Sequence, residues 1–280
     1  MHALYIDDLT EAEGVDLKKE IIRDPVQRPF PLNFHERTQH IFPNEHSLLQ
    51  KQLNKVELFT QENKMKINES KTKIMIFNKS RKYDFPPEYS FSNNEILEVV
   101  EETRLLGIII TSDLRWEANT LSICTKAMAK MWLLRRMKIM KIDQQIIFDY
   151  YMKEIRVLAE QGVAIWNSGL TKGQIKDLEK IQKVALKVIL GDGYRTYELA
   201  LDSFEITPLF ERRFELCKNF ALKLYQSDRS CDFFSHSTKT VNSRHDQPPL
   251  LENLTRTTRA YNAPHNYLTR LVNQNTNRIK

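Results

Sequence analysis

The chain has 280 residues, 41% hydrophobic, 28% charged and 10% aromatic, a balance that supports a buried core and excludes collagen-like, low-complexity or wholly disordered polymers. Lysine and arginine number 42 against 36 acidic residues, and the net charge of +6 suits a nucleic-acid partner without requiring one. Only seven glycines argue against an all-β architecture with many tight turns.

The stretch up to about Leu17 is short and acidic and contains Ala3-Leu4-Tyr5-Ile6-Asp7-Asp8-Leu9-Thr10. Residues 23–46 follow as a long irregular loop, because Pro25, Pro29, Pro31 and Pro43 forbid a helix interior. Ser47 reads as the N-cap of a helix through about Glu62, with Leu49, Leu53, Val56 and Phe59 or Thr60 facing inward. Strand character appears at Lys73–Phe77, Ile96–Val100 and Leu105–Ile110, with turns at Pro86-Pro87 and Asn93-Asn94, so a short sheet is expected. From Trp116 the pattern is helical. One helix is expected over 117–141 and a second over about Gln144–Trp166, with Ile147, Tyr151, Ile155 and Leu158 on its inner face. Thr171 opens a third that stops at Gly191; a short helix covers Tyr197–Leu201, and Pro208 begins another running to about Tyr225. Residues 228–280 read as a basic, largely irregular tail.

No apolar run approaches the ~18 residues of a membrane span, and Asp7 and Asp8 interrupt any apolar signal core. Cys124, Cys217 and Cys231 lie far apart and read as reduced thiols. The expected compartment is therefore the cytoplasm or nucleus, without a signal peptide or transmembrane segment.

Asp7 and Asp8 follow an apolar, aromatic-containing strand. Neighbouring strand side chains point oppositely, so both carboxylates reach one site only where the backbone turns. Phosphoryl transfer by two Mg²⁺ ions uses such a pair, since hard carboxylate oxygens suit that cation. Taken alone, the pair reads first as a solvated turn, because Asp is a common turn former.

The order and spacing of further motifs extend the pattern. Tyr5-Ile6-Asp7-Asp8 resembles the metal-binding motif of the polymerase palm. Asn68-Glu69-Ser70-Lys71-Thr72-Lys73, leading into an apolar strand ending at Phe77, resembles a later palm motif. Leu105–Ile110 followed by Ser112-Asp113-Leu114-Arg115-Trp116 resembles the primer-grip strand and its exit into the thumb. Tyr150-Tyr151, Ile165-Trp166, Gln182 and Leu199-Ala200-Leu201 are similar to a thumb-side region, and Arg259-Ala260-Tyr261-Asn262 with Asn266–Leu271 is similar to the tail. Together they resemble the C-terminal half of reverse transcriptases (RNA-directed DNA polymerases) of non-LTR, LINE-like retrotransposons.

That resemblance implies an α+β fold: an incomplete polymerase palm (hairpin, helix, small antiparallel sheet) over 1–115, an all-α thumb-like helical domain over 116–227, and the tail over 228–280. It implies that Asp7 and Asp8 ligate catalytic Mg²⁺, that Lys71 or Lys73 lies near the incoming triphosphate, and that Leu106, Gly107 and Ile108 hold the primer end. The partners implied are an RNA template and a DNA primer. The family's third carboxylate and its fingers lie upstream of the Asp pair, and Met1 lies only six residues before Asp7. A missing N-terminal polymerase half is therefore expected, with weak Mg²⁺ binding and no polymerase activity by this chain alone.

Other signals are less specific. Lys172, Lys176, Lys180, Lys183 and Lys187 fall on one side of a helix, opposite Ile175, Leu178, Ile181, Ala185 and Val188. They suit a nucleic-acid backbone, and equally an ordinary solvated face. Lys126, Lys130, Arg135, Arg136, Lys138 and Lys141 do not share a face and read as structural first. Trp116, Trp132 and Trp166 read as packing anchors rather than base-stacking platforms. Cys231, His236 and His245 lack a clear fourth zinc ligand, and His35, His40 and His46 have no partner motif. The alternative to a polymerase fragment is a stand-alone basic helical module that binds nucleic acid or protein. In a template-directed assay the purified chain is expected to incorporate no nucleotide; incorporation that Asp7→Ala abolishes would overturn this.

Overall fold

The computed structural model describes residues 48–68, 71–77, 89–91, 96–235, 250–253 and 255–276. They are mostly helical with two small two-stranded sheets, an α+β composition. The chain divides into two compact units, Met1–Glu101 and Glu102–Lys280. The sequence-based boundary at 115 differs because the hairpin that starts at Glu102 packs with the helices that follow it.

In the first unit, helix α1 (Leu48–Glu62) packs by Leu53 against a core of Ile74, Tyr89, Phe91 and Leu97. Of the alternatives Phe59 or Thr60 expected inside, Thr60 is half-buried and Phe59 is exposed. Strands β1 (Lys73–Ile74) and β2 (Glu98–Val99) pair in parallel, Lys73 opposite Glu98 and Ile74 opposite Val99. The expected strand to Phe77 thus stops after two paired residues, and Phe77 is exposed. Gln50 ties α1 to the strand side: its Nε2 donates to Ser90 O at 2.8 Å and its Oε1 accepts from Ser90 N at 3.3 Å.

The second unit opens with an antiparallel hairpin, β3 (Glu102–Leu105) and β4 (Ile108–Thr111). Leu105–Ile110, expected as one strand, is therefore the end of one strand, a turn and most of the next. Leu106 and Gly107 turn at φ 48° and 85°, the two positive values of a tight primed hairpin turn. Asp113 organises the exit: its Oδ1 accepts from Arg115 N at 3.0 Å and from Thr111 Oγ1 at 2.8 Å. Trp116 is buried directly before helix α2 (Glu117–Ile139).

The remaining α-helices among the described residues are α3 (Gln144–Tyr150), α4 (Val163–Trp166), α5 (Lys172–Leu190), α6 (Tyr197–Ser203), α7 (Leu209–Gln226), α8 (Ser230–Phe233), α9 (Thr258–Tyr261) and α10 (Pro264–Thr276). Their core is built on fully buried Met131, Leu134, Ile147, Ile155, Trp166, Ile181 and Leu186. The single helix expected over Gln144–Trp166 is instead α3, a π segment at Tyr151–Ile155, a 3₁₀ segment at Arg156–Ala159, a turn and α4. Four of its buried residues, Ile147, Tyr151, Ile155 and Ala159, recur every fourth position. In an α-helix such a row drifts by about 40° per step, and one wider π turn cancels the drift. Gly162 then breaks the run at φ 61°, where an added Cβ would sit 2.2 Å from Ile108 Cδ1. The tail expected to be largely irregular includes α10, whose Leu268, Leu271 and Val272 are buried in the same core. Its apolar residues follow helical spacing among polar neighbours, which masked the pattern in the sequence.

No helix among the described residues is long and apolar enough to cross a membrane. Gly162→Ala combines a left-handed backbone with a steric overlap, so it should lower unfolding free energy by about 2–5 kcal/mol. Gly173→Ala meets nothing closer than 3.8 Å and should be neutral or slightly stabilising. Urea unfolding of both variants checks the contrast.

Candidate nucleic-acid interface

The lysine row lies on α5, a helix with strong start signals. Thr171 caps it reciprocally with Gln174: Thr171 N donates to Gln174 Oε1 at 2.7 Å, and Gln174 N donates to Thr171 Oγ1 at 3.3 Å. At the far end Lys138 Nζ donates to Ile189 O at 2.6 Å, placing a cation among the last carbonyls. Lys172, Lys176, Lys180, Lys183 and Lys187 are all exposed, and none makes an ion pair among the described residues. Lys183 Nζ also lies 4.8 Å from the centre of the Tyr197 ring, a cation–π distance. The face is a continuous positive strip, flanked by exposed Asp177.

Beside the lysine row, where α5 turns inward, lie polar groups to which sequence reasoning gave no role. Glu179 is buried, and its carboxylate accepts from Leu209 N at 2.9 Å, from Phe210 N at 2.9 Å and from the Tyr197 hydroxyl. Those amides open α7, whose N-cap position is Pro208, a residue with no capping side chain. Glu179 thus supplies the cap from another helix, with its charge at the positive end of the dipole. Gln182 is fully buried; its Oε1 accepts from Tyr151 Oη at 2.7 Å, and its Nε2 donates to Tyr197 Oη at 3.0 Å and Thr207 O at 2.9 Å. Burial raises the Tyr151 and Tyr197 phenols above their ordinary value, and at Tyr197 the Glu179 hydrogen bond adds to it. Arg213 is buried beside this group, donates from Nε to Asn167 Oδ1 at 3.0 Å, and is pulled below its ordinary value by desolvation. The detectable signal was an acid, Glu179, bordering the lysine row, with Gln182 one turn further on. Tyr151, Trp166, Gln182 and Ala200, quoted for the thumb-side resemblance, all turn out to be core residues.

The other sequence candidates are dispersed. Asp7 and Asp8 lie outside the described residues, as do His35, His40, His46, His236 and His245. Lys71 and Lys73 are exposed in the first unit; Lys73 Nζ pairs with Glu98 Oε2 at 3.0 Å. Asn68 explains the local motif: its backbone oxygen accepts from Lys71 N and Thr72 N, both at 3.1 Å, and from Thr72 Oγ1 at 2.9 Å. In the second unit, Leu106 and Gly107 form the exposed hairpin tip, whereas Ile108 is buried. Gln161 holds that tip, donating from Nε2 to Leu106 O at 3.1 Å.

Among the six basic residues around α2, Lys130 pairs with Glu154, and Lys126, Arg135, Arg136 and Lys141 are exposed. Trp116 and Trp166 are packing anchors, but Trp132 is 64% exposed, contrary to the sequence reading. It shares the solvent side of α2 with exposed Leu121 and Ile139, one row at helical spacing. Among the described residues no group of three or more His, Cys, Asp or Glu side chains is arranged to hold a metal ion.

Comparison with protein-family models, curated proteins and solved structures finds no match to this chain.

The core thiol gives a pH signature. Cys217 is fully buried, and desolvation pushes it from 9.0 up to about 11. Between those values the unfolded chain sheds a proton that the folded chain keeps, so stability falls as pH rises from 9 to 11. The loss from this group is about 2–3 kcal/mol, and Cys217→Ala should remove that part of the slope in pH-dependent unfolding.

Proposed function

We propose that the chain is a nucleic-acid-binding part of a reverse transcriptase of the non-LTR retrotransposon type, gripping an RNA–DNA primer–template by its phosphates. The observation that carries this reading is the row of five exposed lysines along α5, without ion pairs among the described residues, on a helix held in place by Glu179 and Gln182. A rigid helix with one cation per turn follows a nucleic-acid backbone, and each phosphate neutralised releases counterions. In this reading Glu102–Lys280 includes the thumb-like element, and the exposed tip Leu106–Gly107 touches the primer end. Asp7 and Asp8 are the proposed Mg²⁺ ligands, with Lys71 and Lys73 on the triphosphate side. The sequence motifs support that assignment.

A second reading, a module that docks on protein, is favoured by the exposed apolar row Leu121, Trp132 and Ile139. Titration with an RNA–DNA hybrid at several salt concentrations separates the two. Nucleic-acid binding should show a steep negative dependence of log K on log salt. Replacing all five lysines by glutamine should flatten it by about 0.9 for each lysine that meets a phosphate, with helicity unchanged. An unaltered slope in the fivefold variant would remove the α5 face from the interface. Absence of hybrid binding at low salt would favour the protein-docking reading.

A further inference from the structure

The hairpin tip and α2 enclose a small pocket, walled by Gly107, Asn119, Ser122, Lys126 and Gln161, with space for about one water-sized group. Asn119 is 98% removed from solvent by its 2% exposure, and its Oδ1 accepts from Ile109 N at 3.1 Å. That bond sets the amide's orientation, because only its carbonyl end accepts. Asn119 Nδ2 is left buried with no hydrogen-bond partner among the described residues. A buried donor without an acceptor costs about 1–3 kcal/mol, so the site calls for an oxygen.

The surrounding chemistry selects the kind of oxygen. Asn119, Ser122 and Lys126 follow one another at helical spacing and line the same wall of the pocket. Lys126 is exposed and makes no ion pair among the described residues. Among the described residues no carboxylate lines the pocket. Gln161 is held against the tip by its bond to Leu106 O, and a Cβ on Gly107 would lie 2.9 Å from Gln161 Nε2. Glycine therefore keeps this wall open. A water satisfies the orphan amide, but a cation beside an amide and a hydroxyl, with no acid among the described residues lining the pocket, is the electrostatic complement of a phosphoryl oxygen.

We propose that this pocket takes one phosphate group of the bound nucleic-acid strand, with a single oxygen on Asn119 Nδ2 and the rest of the group at the mouth beside Lys126. The inference rests on the nucleic-acid reading above and adds a fixed anchoring point to a lysine row that has none.

The test follows the Asn119 side-chain amide by NMR in the ¹⁵N-labelled full chain, titrated separately with an RNA–DNA hybrid and with inorganic phosphate. The hybrid should shift the Asn119 amide signals. Lys126→Gln, an exposed change that leaves the core intact, should suppress the shift and flatten the salt dependence of hybrid binding by about 0.9. Lys141→Gln, outside the pocket, should leave the amide shift unchanged. A shift with phosphate alone would overturn the nucleic-acid occupant and assign the site to free phosphate. Hybrid binding that depends on the α5 lysines but leaves the Asn119 signals in place would overturn this inference and leave the proposed function standing.

Discussion

A carboxylate buried where a helix terminus lacks its own cap determines how three helices of the second unit meet. Glu179 lies on α5 and bonds the first amides of α7 while also taking the Tyr197 hydroxyl of α6. Removing it would orphan one buried amide, one part-buried amide and a phenol at once, and leave the positive end of α7 uncompensated. Gln182, one turn away, repeats the arrangement with neutral groups and reaches Tyr151 in the π segment. The orientation of α5, and with it the direction in which the lysine row faces, follows from this polar seam more than from the surrounding apolar packing. Apolar contacts tolerate small rotations, whereas a carboxylate shared among three donors does not.

That division between the two sides of α5 was half legible in the sequence. The lysines, the apolar row and the Thr171–Gln174 capping pattern all follow local rules, so the helix bounds and its solvent face could be read directly. Glu179 could not be read, since an inward Glu makes sense only once the distant Pro208 start of α7 is placed beside it. The segment after Gln144 failed for a related reason. Its fourfold spacing looks helical, but whether a chain absorbs the drift by supercoiling or by a π turn depends on what it packs against. Gly162 alone marked the break, and the need for it lies 54 residues earlier in Ile108.

The hairpin shows the same limit from the other direction. Leu105–Ile110 is apolar enough to read as one strand, and Leu at the first turn position is unusual where φ must be positive. Gly107 was the visible clue. The tip is secured by Gln161 from across the fold, so tertiary contact offsets a local preference that points elsewhere. The candidate site follows this pattern. The charges were visible as residue types, whereas the orphaned Asn119 amide exists only because Ile109 claims the other end of the same side chain.

The three tryptophans are divided unequally between core and solvent. Trp116 and Trp166 are sealed at 5% and 0% exposure, while Trp132 stands out at 64% on the solvent side of α2. A dissolved collisional quencher therefore reaches one indole and spares the other two. The quenchable part of the intrinsic fluorescence becomes an optical signal from that single helix face, and shielding of the face by any bound molecule registers without a label.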